Sequence, residues 1–366
     1  MNGREATDAR WMARCLELAA EARYTASPNP MVGCVLVNGK GELLAEGWHV
    51  APGEAHAEVV ALEAFEKAGG QRADLGDAVL YVNLEPCSHH GRTPPCCERI
   101  AAASVGRVVV GTPDPFVKVA GRGIAFLRDR GIDVRVGVLE AECAQLNRTF
   151  FMRHTAGRPF VTLKWAQSRD GFMDPQREPG QLGSIAITGS EAQAVSHGWR
   201  AAADIVVVGA GTVETDDPAL TVRAVEGPDP VRWVLDPNGR TSSKARVYGP
   251  GRVAVWGGPK DLPPHVECLD IPRSLESGGD SWPAENARAI VRAASDQGEQ
   301  GALHIYVEGG RATLDAFLEA DLWDEICVIE APHNLGSGLL APILPEVKTA
   351  QNWLAGTDRI NLYTRP

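Results

Sequence analysis

Residues 85–97, EPCSHHGRTPPCC, bring three cysteines and two histidines into one short stretch. Cys87 and Cys96 are soft metal ligands, and a HAE motif upstream supplies the imidazole of His56. Three nitrogen and sulfur ligands are typical of a catalytic zinc site, because the fourth position stays open for water. Glu58 lies two residues from His56, where its carboxylate would reach that water without binding the metal. The pattern therefore predicts a catalytic zinc site with Glu58 as its acid–base group.

Two other interpretations of this stretch stay open at this point. With Cys97 as a fourth ligand, the site would be a closed, structural zinc knuckle. Adjacent cysteines rarely reach one tetrahedral ion, however, and Glu58 would then have no role. A thiol redox site would need the C-x-x-C spacing, which the stretch lacks. The catalytic interpretation is preferred because it alone gives Glu58 a function.

The H-x-E motif, followed by P-C and a second cysteine, resembles the signature of the zinc nucleoside and nucleobase deaminases. In these enzymes activated water attacks an amidine-like ring carbon, and the resemblance implies that Glu58 carries a proton from the water to the leaving amino group. Eight residues separate Cys87 from Cys96, where the signature usually has two. This insert, SHHGRTPP, and the upstream segment SPNPMVGCVLV resemble the deaminase half of the bifunctional riboflavin-biosynthesis deaminase/reductase family.

The substrate of that family is a diaminopyrimidinone that carries a ribose phosphate. The resemblance implies that Asn29 hydrogen-bonds the pyrimidine ring, since an amide offers donors and an acceptor. It also implies that His49, His89 and Arg92 face the ring or the phosphate. A local positive patch is needed here, because the chain carries a formal net charge of −11 at pH 7 and repels phosphates as a whole.

The elements that position these residues alternate along the first half of the chain. Periodic apolar residues predict a helix in ATDARWMARCLELAAEA, with Thr7 or Asp8 as its N-cap, and a second helix that starts at the HAE motif. A hairpin is predicted around the turn GKGE, followed by three short strands, AVLYVNLE, RVVVGT and DVRVGV. This alternation indicates an α/β layer with helices on both faces. A last helix stops at Gly157 and Pro159, which places a domain boundary near 153–158.

The second half begins again with the strand FVTLKWAQS and continues as strands with helices between them. Its segment VVVGAGTVETDDPALTVR puts a glycine turn after an apolar strand, which favours a dinucleotide site. Glu214 replaces the third glycine of G-x-G-x-x-G, so the segment alone leaves a purely structural turn equally open. The loops at 174–183 and 257–264 are rich in proline and glycine, and the former is long enough to be a mobile flap.

Together with LKWAQSRDG, GSIAITGSEA and VEGGRATL, in this order, that segment resembles the reductase half of the same family. The family's reductase domain is similar to dihydrofolate reductase in fold and uses NADPH, which transfers a hydride to the C1 carbon of an opened ribosylamine. The resemblance implies NADPH contacts at Ala166, Thr212 and Asp216 and in the phosphate turn Gly309, Gly310, Arg311, Ala312 and Thr313. It implies substrate contacts at Ser184, Arg200, Leu220, Arg223 and Glu308.

Two departures from the family pattern motivate a second hypothesis. Ala186 stands where the family commonly has tryptophan, and Trp199 stands where an aliphatic residue is more usual. The second hypothesis is an active deaminase with a degenerate, structural reductase domain. Lys164 and Asp170 either orient the substrate or only stabilise the end of the strand, and the residues do not decide between these roles.

Composition limits the remaining classes. A chain of 366 residues, 44% hydrophobic and 23% charged, suits two globular domains. We expect a cytidine-deaminase-like three-layer α/β/α domain over 1–153 and a dihydrofolate-reductase-like α/β domain over 158–366. The acidic charge argues against a deaminase that binds a polynucleotide. No long apolar run or signal peptide is found, so a cytoplasmic enzyme without membrane or nucleic-acid partners is expected. Its partners would be small phosphorylated pyrimidine substrates, with zinc and NADPH as cofactors, and a homo-oligomer stays open.

Overall fold

A computed structural model describes residues 3–89, 94–117, 119–178, 180–271, 283–298, 301–347 and 349–365. The chain forms two compact units, Met1–Gly157 and Arg158–Pro366. Each unit has its own sheet and its own hydrophobic core. Among the described residues, no helix combines the length and the apolar character that a bilayer crossing requires.

The sheet of the first unit has five strands in the order β2-β1-β3-β4-β5. The predicted hairpin is confirmed, because β1 pairs antiparallel with β2, and the parallel strands β3, β4 and β5 complete the sheet. The strands are β1 (Gly33–Val37), β2 (Leu43–Trp48), β3 (Val79–Leu84), β4 (Arg107–Thr112) and β5 (Asp133–Val136). The helices are α1 (Gly3–Ala20), α2 (Ala57–Lys67), α3 (Cys96–Ala103), α4 (Arg122–Asp129), α5 (Glu140–Leu146) and α6 (Arg148–Ala156).

Helices cover both faces of this sheet, which explains why its central strands are apolar at nearly every position. Every residue of β4 is buried. One face packs against residues of α2, α3 and α4, including Leu62, Ile100 and Leu127. The other face packs against α1 and α5, including Met12 and Cys143. The unit is therefore the predicted three-layer α/β/α sandwich.

The predicted cap of α1 is wrong. The helix begins at Gly3, so Thr7 and Asp8 lie inside it. Asp8 is only 1% exposed, and its carboxylate accepts hydrogen bonds from Tyr81 Oη at 2.8 Å, Arg107 Nη2 at 2.9 Å and Arg135 Nη1 at 2.8 Å. A charge pattern within one helix could not indicate these partners, because they lie on distant strands.

The sheet of the second unit has nine strands in the order β11-β10-β9-β8-β12-β6-β13-β16-β15. The strands from β13 to β11 are parallel, and β16 and β15 extend the sheet antiparallel. Their bounds are β6 (Phe160–Gln167), β8 (Ile205–Gly209), β9 (Val231–Asp236), β10 (Val253–Gly257), β11 (Val266–Cys268), β12 (His304–Val307), β13 (Glu325–Glu330), β15 (Thr349–Ala355) and β16 (Asp358–Thr364). The helices are α7 (Ser190–Ala201), α8 (Ala210–Asp216), α9 (Ala284–Ser295) and α10 (Arg311–Glu319).

Two further strands, β7 (Phe172–Pro175) and β14 (Gly338–Leu340), form a separate antiparallel ribbon. The predicted loop at 174–183 thus begins as the end of β7, because its first two residues pair with β14. Of the five cysteines outside residues 87–97, Cys268 is exposed and the other four are buried, namely Cys15, Cys34, Cys143 and Cys327.

Candidate active sites

The three predicted metal ligands converge at one edge of the first unit. His56 caps the N-terminus of α2, Cys96 is the first residue of α3, and Cys87 lies in the segment that follows β3. Their ligand atoms all lie within 4.8 Å of one another. His56 Nδ1 is 3.2 Å from Cys96 Sγ and 3.6 Å from Cys87 Sγ. Two helix N-termini therefore face the same point, which favours negative charge there.

The donor set fits zinc in chemistry and in spacing. Zinc–nitrogen bonds of about 2.0–2.1 Å and zinc–sulfur bonds of about 2.3 Å, at a tetrahedral angle, separate nitrogen from sulfur by about 3.5 Å. The two measured separations bracket this value. A hydrogen bond from the Cys96 side chain, with further ones from His56 and the Cys96 backbone, lowers the pKa of Cys87 to about 4. A thiolate ligand is thus already favoured at this position.

Cys97 does not join the ligand group. It is 1% exposed and packs in the apolar core beneath α3, and its backbone N–H donates to the Cys87 carbonyl at 3.2 Å. Burial raises the pKa of its thiol to about 11. Within the described part of the chain, the ligand cluster therefore has three members, as a catalytic site requires, rather than the four of a structural knuckle.

Glu58 lies in the first turn of α2, next to the ligands. It is 3% exposed, and burial, followed by the negative charge of Cys87, raises the pKa of its carboxyl. The side chain also interacts with Cys96. The carboxylate is therefore shielded from bulk water, at the position where it could exchange a proton with a metal-bound ligand.

Asn29 and His49 form a polar chain that leads to the metal ligands. Asn29 Nδ2 lies 2.9 Å from His49 Nε2, and His49 Nδ1 lies 3.1 Å from the Ala55 carbonyl. Because the Ala55 carbonyl can only accept a hydrogen bond, His49 Nδ1 carries the proton, and Nε2 accepts from Asn29. The His49 ring packs edge-on against His56 with centroids 5.4 Å apart. Burial lowers the pKa of His49, which keeps the ring neutral.

Two asparagines that sequence analysis missed hold the segment after Asn29. Asn147 accepts from the Met31 N–H at 2.8 Å and donates to the Met31 carbonyl at 2.9 Å. Asn83 donates to the same carbonyl at 3.1 Å and accepts from the Gly33 N–H at 2.8 Å. An asparagine inside the apolar strand β3 was a detectable signal. Nothing in the sequence indicated the role of Asn147, because its partner Met31 lies more than a hundred residues away in sequence.

Glu85, the first residue of EPCSHH, is a second missed feature. Its buried carboxylate accepts four backbone N–H groups. The donors are Gly121 and Gly123 at 2.9 Å and Asp114 and Ile124 at 3.2 Å. These bonds tie the segment that carries Cys87 to the start of α4, so Glu85 fixes the position of a metal ligand.

The predicted substrate loop is only partly described. His89 is exposed and packs edge-on against Phe116, with ring centroids 6.1 Å apart. Phe116 in turn packs against His154 of α6 at 4.7 Å. Arg92 lies outside the described residues, so its predicted contact stays a prediction.

The second site forms at the carboxyl ends of parallel strands, where open α/β sheets bind ligands. Glu308 directly follows β12, and its carboxylate accepts from Arg200 Nε at 2.6 Å and from Arg200 Nη2 at 2.9 Å. Lys164 Nζ of β6 is 3.8 Å from the same carboxylate. Arg200 Nη1 donates to the Thr221 carbonyl at 2.7 Å. Three of the predicted substrate segments therefore meet in one buried network.

This network is electrostatically paired. Burial alone would raise the pKa of Glu308, but the positive charges of Arg200 and Lys164 outweigh it and lower the net pKa. Burial lowers the pKa of Lys164. Arg200 was predicted to contact the substrate, and it would have to release Glu308 before its guanidinium could bind a substrate phosphate. That role stays a prediction.

His197 of α7 was not predicted to belong to the site. Its Nδ1 accepts from the Arg223 backbone N–H at 2.9 Å. Burial, followed by the charges of Arg200 and Arg223, lowers the pKa of His197 to about 4. The exposed Arg223 side chain donates to Thr221 Oγ1 at 2.7 Å. A histidine three residues before Arg200 in HGWRA was the available signal.

The two predicted cofactor turns pack against each other. A Cβ atom added at Gly209 would lie 2.6 Å from Thr313 Oγ1. A Cβ atom added at Gly310 would lie 3.0 Å from Thr212 Oγ1. At Gly309 it would lie 2.7 Å from the β8 backbone. Only glycine fits such approaches. Because Gly310 precedes α10 and has no side chain to cap it, the first N–H groups of the helix remain available to a phosphate.

The remaining predicted residues lie on several elements of the second unit. Ala166 lies on β6 beyond Lys164, and Leu220 is 4% exposed with a left-handed φ of 52°. Ser184 and Ala186 are exposed. The other members of the predicted cofactor set lie as follows: Asp216 ends α8, Arg311 opens α10, and Ala312 lies in the first turn of α10.

Two family models match this chain. The cytidine and deoxycytidylate deaminase zinc-binding region matches residues 5–112, and the RibD C-terminal domain matches residues 159–356. The first match contains all three metal ligands and Glu58. The second contains the ion-pair network and both glycine turns.

Curated relatives match over most of the chain. The riboflavin biosynthesis protein RibD of Aquifex aeolicus (strain VF5) is 38% identical, covering 91% of this chain and 89% of its own length. The RibD protein of Escherichia coli (strain K12) is 38% identical, covering 90% of this chain and 89% of its own. Among solved structures, a diaminohydroxyphosphoribosylaminopyrimidine deaminase/5-amino-6-(5-phosphoribosylamino)uracil reductase from Thermotoga maritima superimposes with a TM-score of 0.86 at 33% identity, covering 99% of this chain and 100% of its own.

Proposed function

This chain belongs to the RibD family of riboflavin biosynthesis proteins, and we propose on that premise how its two active sites are built and which cofactors they take. It is a bifunctional enzyme with a deaminase half and a reductase half. No observation on the described residues favours the alternative of a degenerate second half. The residue roles and the domain bounds that follow, 1–153 and 158–366, are proposals.

In the deaminase half, His56, Cys87 and Cys96 would hold one zinc ion. When bound, zinc would lower the pKa of a water in its open position to about 7 and so supply the nucleophile. The substrate we propose is 2,5-diamino-6-(5-phosphoribosylamino)pyrimidin-4(3H)-one, which loses its ring amino group as ammonia.

Glu58 would move the protons of this reaction. Its buried carboxylate would take a proton from the nucleophile and return it to the leaving nitrogen. Asn29, held through Met31 by Asn83 and Asn147, would bind the polar edge of the ring. His49 would orient the Asn29 amide by accepting from Nδ2.

His89 and Arg92 would contact the ring or the phosphate from the loop between the two cysteines. Support for His89 comes from its exposure and its packing on Phe116. Arg92 rests on the family resemblance alone. A positive side chain here would offset the net charge of −11 for an incoming phosphate.

In the reductase half, NADPH would supply a hydride to the ribosyl C1 carbon of the deaminated product. Gly309, Gly310, Arg311, Ala312 and Thr313 would hold cofactor phosphate at the start of α10. Thr212, Asp216 and Ala166 would contact the rest of the cofactor. The close packing of the two glycine turns supports this assignment.

The substrate that accepts the hydride would lie at the same strand ends, on the side opposite the cofactor. Ser184, Leu220 and Arg223 would contact it, with the exposed Arg223 side chain as the candidate phosphate group. Arg200 and Glu308 would form the buried floor of this pocket. The product would be 5-amino-6-(5-phosphoribitylamino)uracil, formed in the cytoplasm, and a homo-oligomer stays a prediction.

The observation that carries the proposal is the three-ligand cluster with Glu58 beside it. The test is to measure zinc per chain, ammonia release and NADPH oxidation on one preparation, before and after dialysis against a chelator. We expect one zinc per chain, loss of ammonia release on dialysis, and unchanged NADPH oxidation with the deaminated substrate. Ammonia release that survives full metal removal would refute the zinc assignment, and oxidation of NADH in place of NADPH would refute the cofactor.

A further inference from the structure

The β7–β14 ribbon connects the two predicted cofactor segments. Leu339 of β14 pairs with Asp174 of β7. At the β14 end, Arg311 Nη1 donates to the carbonyls of Leu340 at 2.9 Å and Ala341 at 3.1 Å. The ribbon is therefore anchored on the residue that opens α10, within the predicted phosphate turn.

At the β7 end, one guanidinium joins the ribbon to α8. Arg177 Nε and Nη2 donate to the two carboxylate oxygens of Asp174, at 2.5 and 2.8 Å. Nη2 also donates to Asp216 Oδ1 at 3.1 Å, and Nη1 donates to the Gly183 carbonyl at 2.9 Å. The Gly183 N–H donates in turn to the Thr215 carbonyl at 2.7 Å. We call β7 and loop residues 176–178 and 180–183 the strap.

Arg177 balances the negative charges of this cluster. Two carboxylates, Asp174 and Asp216, share one guanidinium, and the Arg177 side chain is only 14% exposed. Another ion pair on α8 joins Arg240 to Glu214, and it is more exposed than the Arg177 cluster. In this pair the side chains of Arg240 and Glu214 contact each other at 3.2 Å. Burial raises the pKa of Asp216, the negative charge of Asp174 raises it further, and Arg177 opposes both. Without Arg177, Asp216 would face a like charge in a partly desolvated place.

We propose that Arg177 is a positioning residue of the reductase: it fixes the carboxylate of Asp216 and fastens the strap onto α8 beside the cofactor turns. The inference rests on the proposed NADPH site, because it gives Asp216 its expected place against the cofactor. It goes beyond that site, since Arg177 reaches Asp216 from a different segment of the chain. The strap then forms one wall of the cofactor site: Arg177 fastens it to α8, and Arg311 holds its partner strand β14.

The test uses the full chain and both activities. Arg177→Gln should raise the KM for NADPH about tenfold, with a smaller fall in kcat, because it misplaces the Asp216 carboxylate without removing a group from the reaction. Arg177→Lys should recover part of this loss, since an ammonium can pair with Asp216 but cannot fork onto Asp174 as well. Arg177→Gln combined with Asp174→Asn should also recover part of it, because the repulsion on Asp216 is removed. Ammonia release should stay at the wild-type rate in every variant.

The matched control is Arg288→Gln, which removes an exposed arginine of α9 that pairs with Glu285 at 3.3 Å. An Arg177→Gln variant with the same KM as this control would overturn the inference. So would a loss that neither Arg177→Lys nor the Asp174→Asn combination recovers, since that pattern indicates a general structural role. A wild-type chain that neither binds nor oxidises NADPH would instead overturn the proposed cofactor, and the inference with it.

Discussion

The two candidate sites hold their reactive groups in opposite ways. In the deaminase site two thiols and an imidazole face one another across 3.2–3.6 Å and hold one another through sulfur hydrogen bonds. In the reductase site Arg200 and Lys164 face one carboxylate, Glu308, and form a closed ion network. The first arrangement could hold a metal cation, and the second already contains its own counterions.

This difference determines how much each set of residues reveals about its ligand. Ligand type and spacing in the first site fit zinc, because zinc takes thiolate and imidazole ligands at tetrahedral separation. In the second site the charges satisfy one another, so they do not identify a ligand. The evidence there comes from glycines, whose missing side chains let the two predicted cofactor turns pack closely against each other.

The largest expected effect tests the first site. Glu58→Gln keeps the shape of the buried side chain but removes its ability to carry a proton. We expect ammonia release to fall about 10²–10⁴-fold, the usual contribution of a general acid–base group. Zinc content and NADPH oxidation with the deaminated substrate should not change.

The matched control is Glu63→Gln, on the same helix, where Glu63 is about half exposed and pairs with Lys67. If the Glu58→Gln enzyme releases ammonia as fast as this control, Glu58 takes no part in the deamination. Loss of zinc together with activity would instead make Glu58 a structural support of the ligands.

The next effect tests the closed network. Glu308→Gln leaves Arg200 and Lys164 buried without their counterion, and breaking such a pair costs about 3–5 kcal/mol. We expect both reductase activity and the free energy of unfolding of the second unit to fall, while ammonia release persists. Tryptophan fluorescence in urea should report this unit, because seven of the nine tryptophans lie at or after residue 165.

Glu285→Gln is the control for this change, since Glu285 forms an exposed pair with Arg288. If Glu308→Gln unfolds like this control and keeps its reductase rate, the network is neither a stabilising nor a catalytic feature. A fall in stability with full activity would leave only the structural role.

How far the sequence predicts each site depends on where the partners lie. His56 and Glu58 are two residues apart, so a short motif indicates both, and Cys87 and Cys96 share one loop. Arg200 and Glu308 are 108 residues apart, and only the fold brings them together. The family resemblance identified both residues but gave no indication that they pair with each other.

The elements that support the first site were the least predictable. Glu85 accepts only backbone N–H groups, and every residue except proline offers one, so no residue type indicates its role. Asp8 fits the rule for helix caps, but its partners Arg107 and Arg135 lie on β4 and β5, and this tertiary contact outweighed the local preference.

A third prediction compares the reductase network with the Asp8 cluster, the buried ion cluster of the other unit. Asp8→Asn weakens the bonds from Arg107 and Arg135, but α1 lies on the face of the sheet opposite the ligand-bearing helices α2 and α3. We expect a loss of up to about 3–5 kcal/mol in the stability of the first unit, with an unchanged rate of ammonia release in the folded enzyme. Urea titration followed by ammonia release reports this unit, and NADPH oxidation in the same samples serves as the control. A lower rate without denaturant would show that the Asp8 cluster, like the Glu308 network, also serves catalysis.

The smallest expected effect is a pH dependence confined to the second unit. Burial, followed by the positive charges of Arg200 and Arg223, lowers the pKa of the His197 ring to about 4, below its ordinary value of about 6.5. Lys164 adds to this effect, and the negative charge of Glu308 opposes it. Between these two values the unfolded chain binds the proton and the folded chain does not, so stability should fall as the pH drops from about 6.5 to about 4.

The variant His197→Asn keeps an acceptor for the Arg223 N–H but cannot titrate in this range. Its second unit should therefore lose less stability than the wild type between pH 7 and pH 5, as measured by tryptophan fluorescence in urea at each pH. The exposed His265 offers a matched control, and His265→Asn should keep the wild-type pH dependence. Equal pH dependence in both variants would mean that His197 keeps an ordinary pKa, and that the cations of the closed network are compensated at the histidine by Glu308. The charges of the second site would then satisfy one another even at the histidine, which would sharpen the contrast with the proposed zinc site.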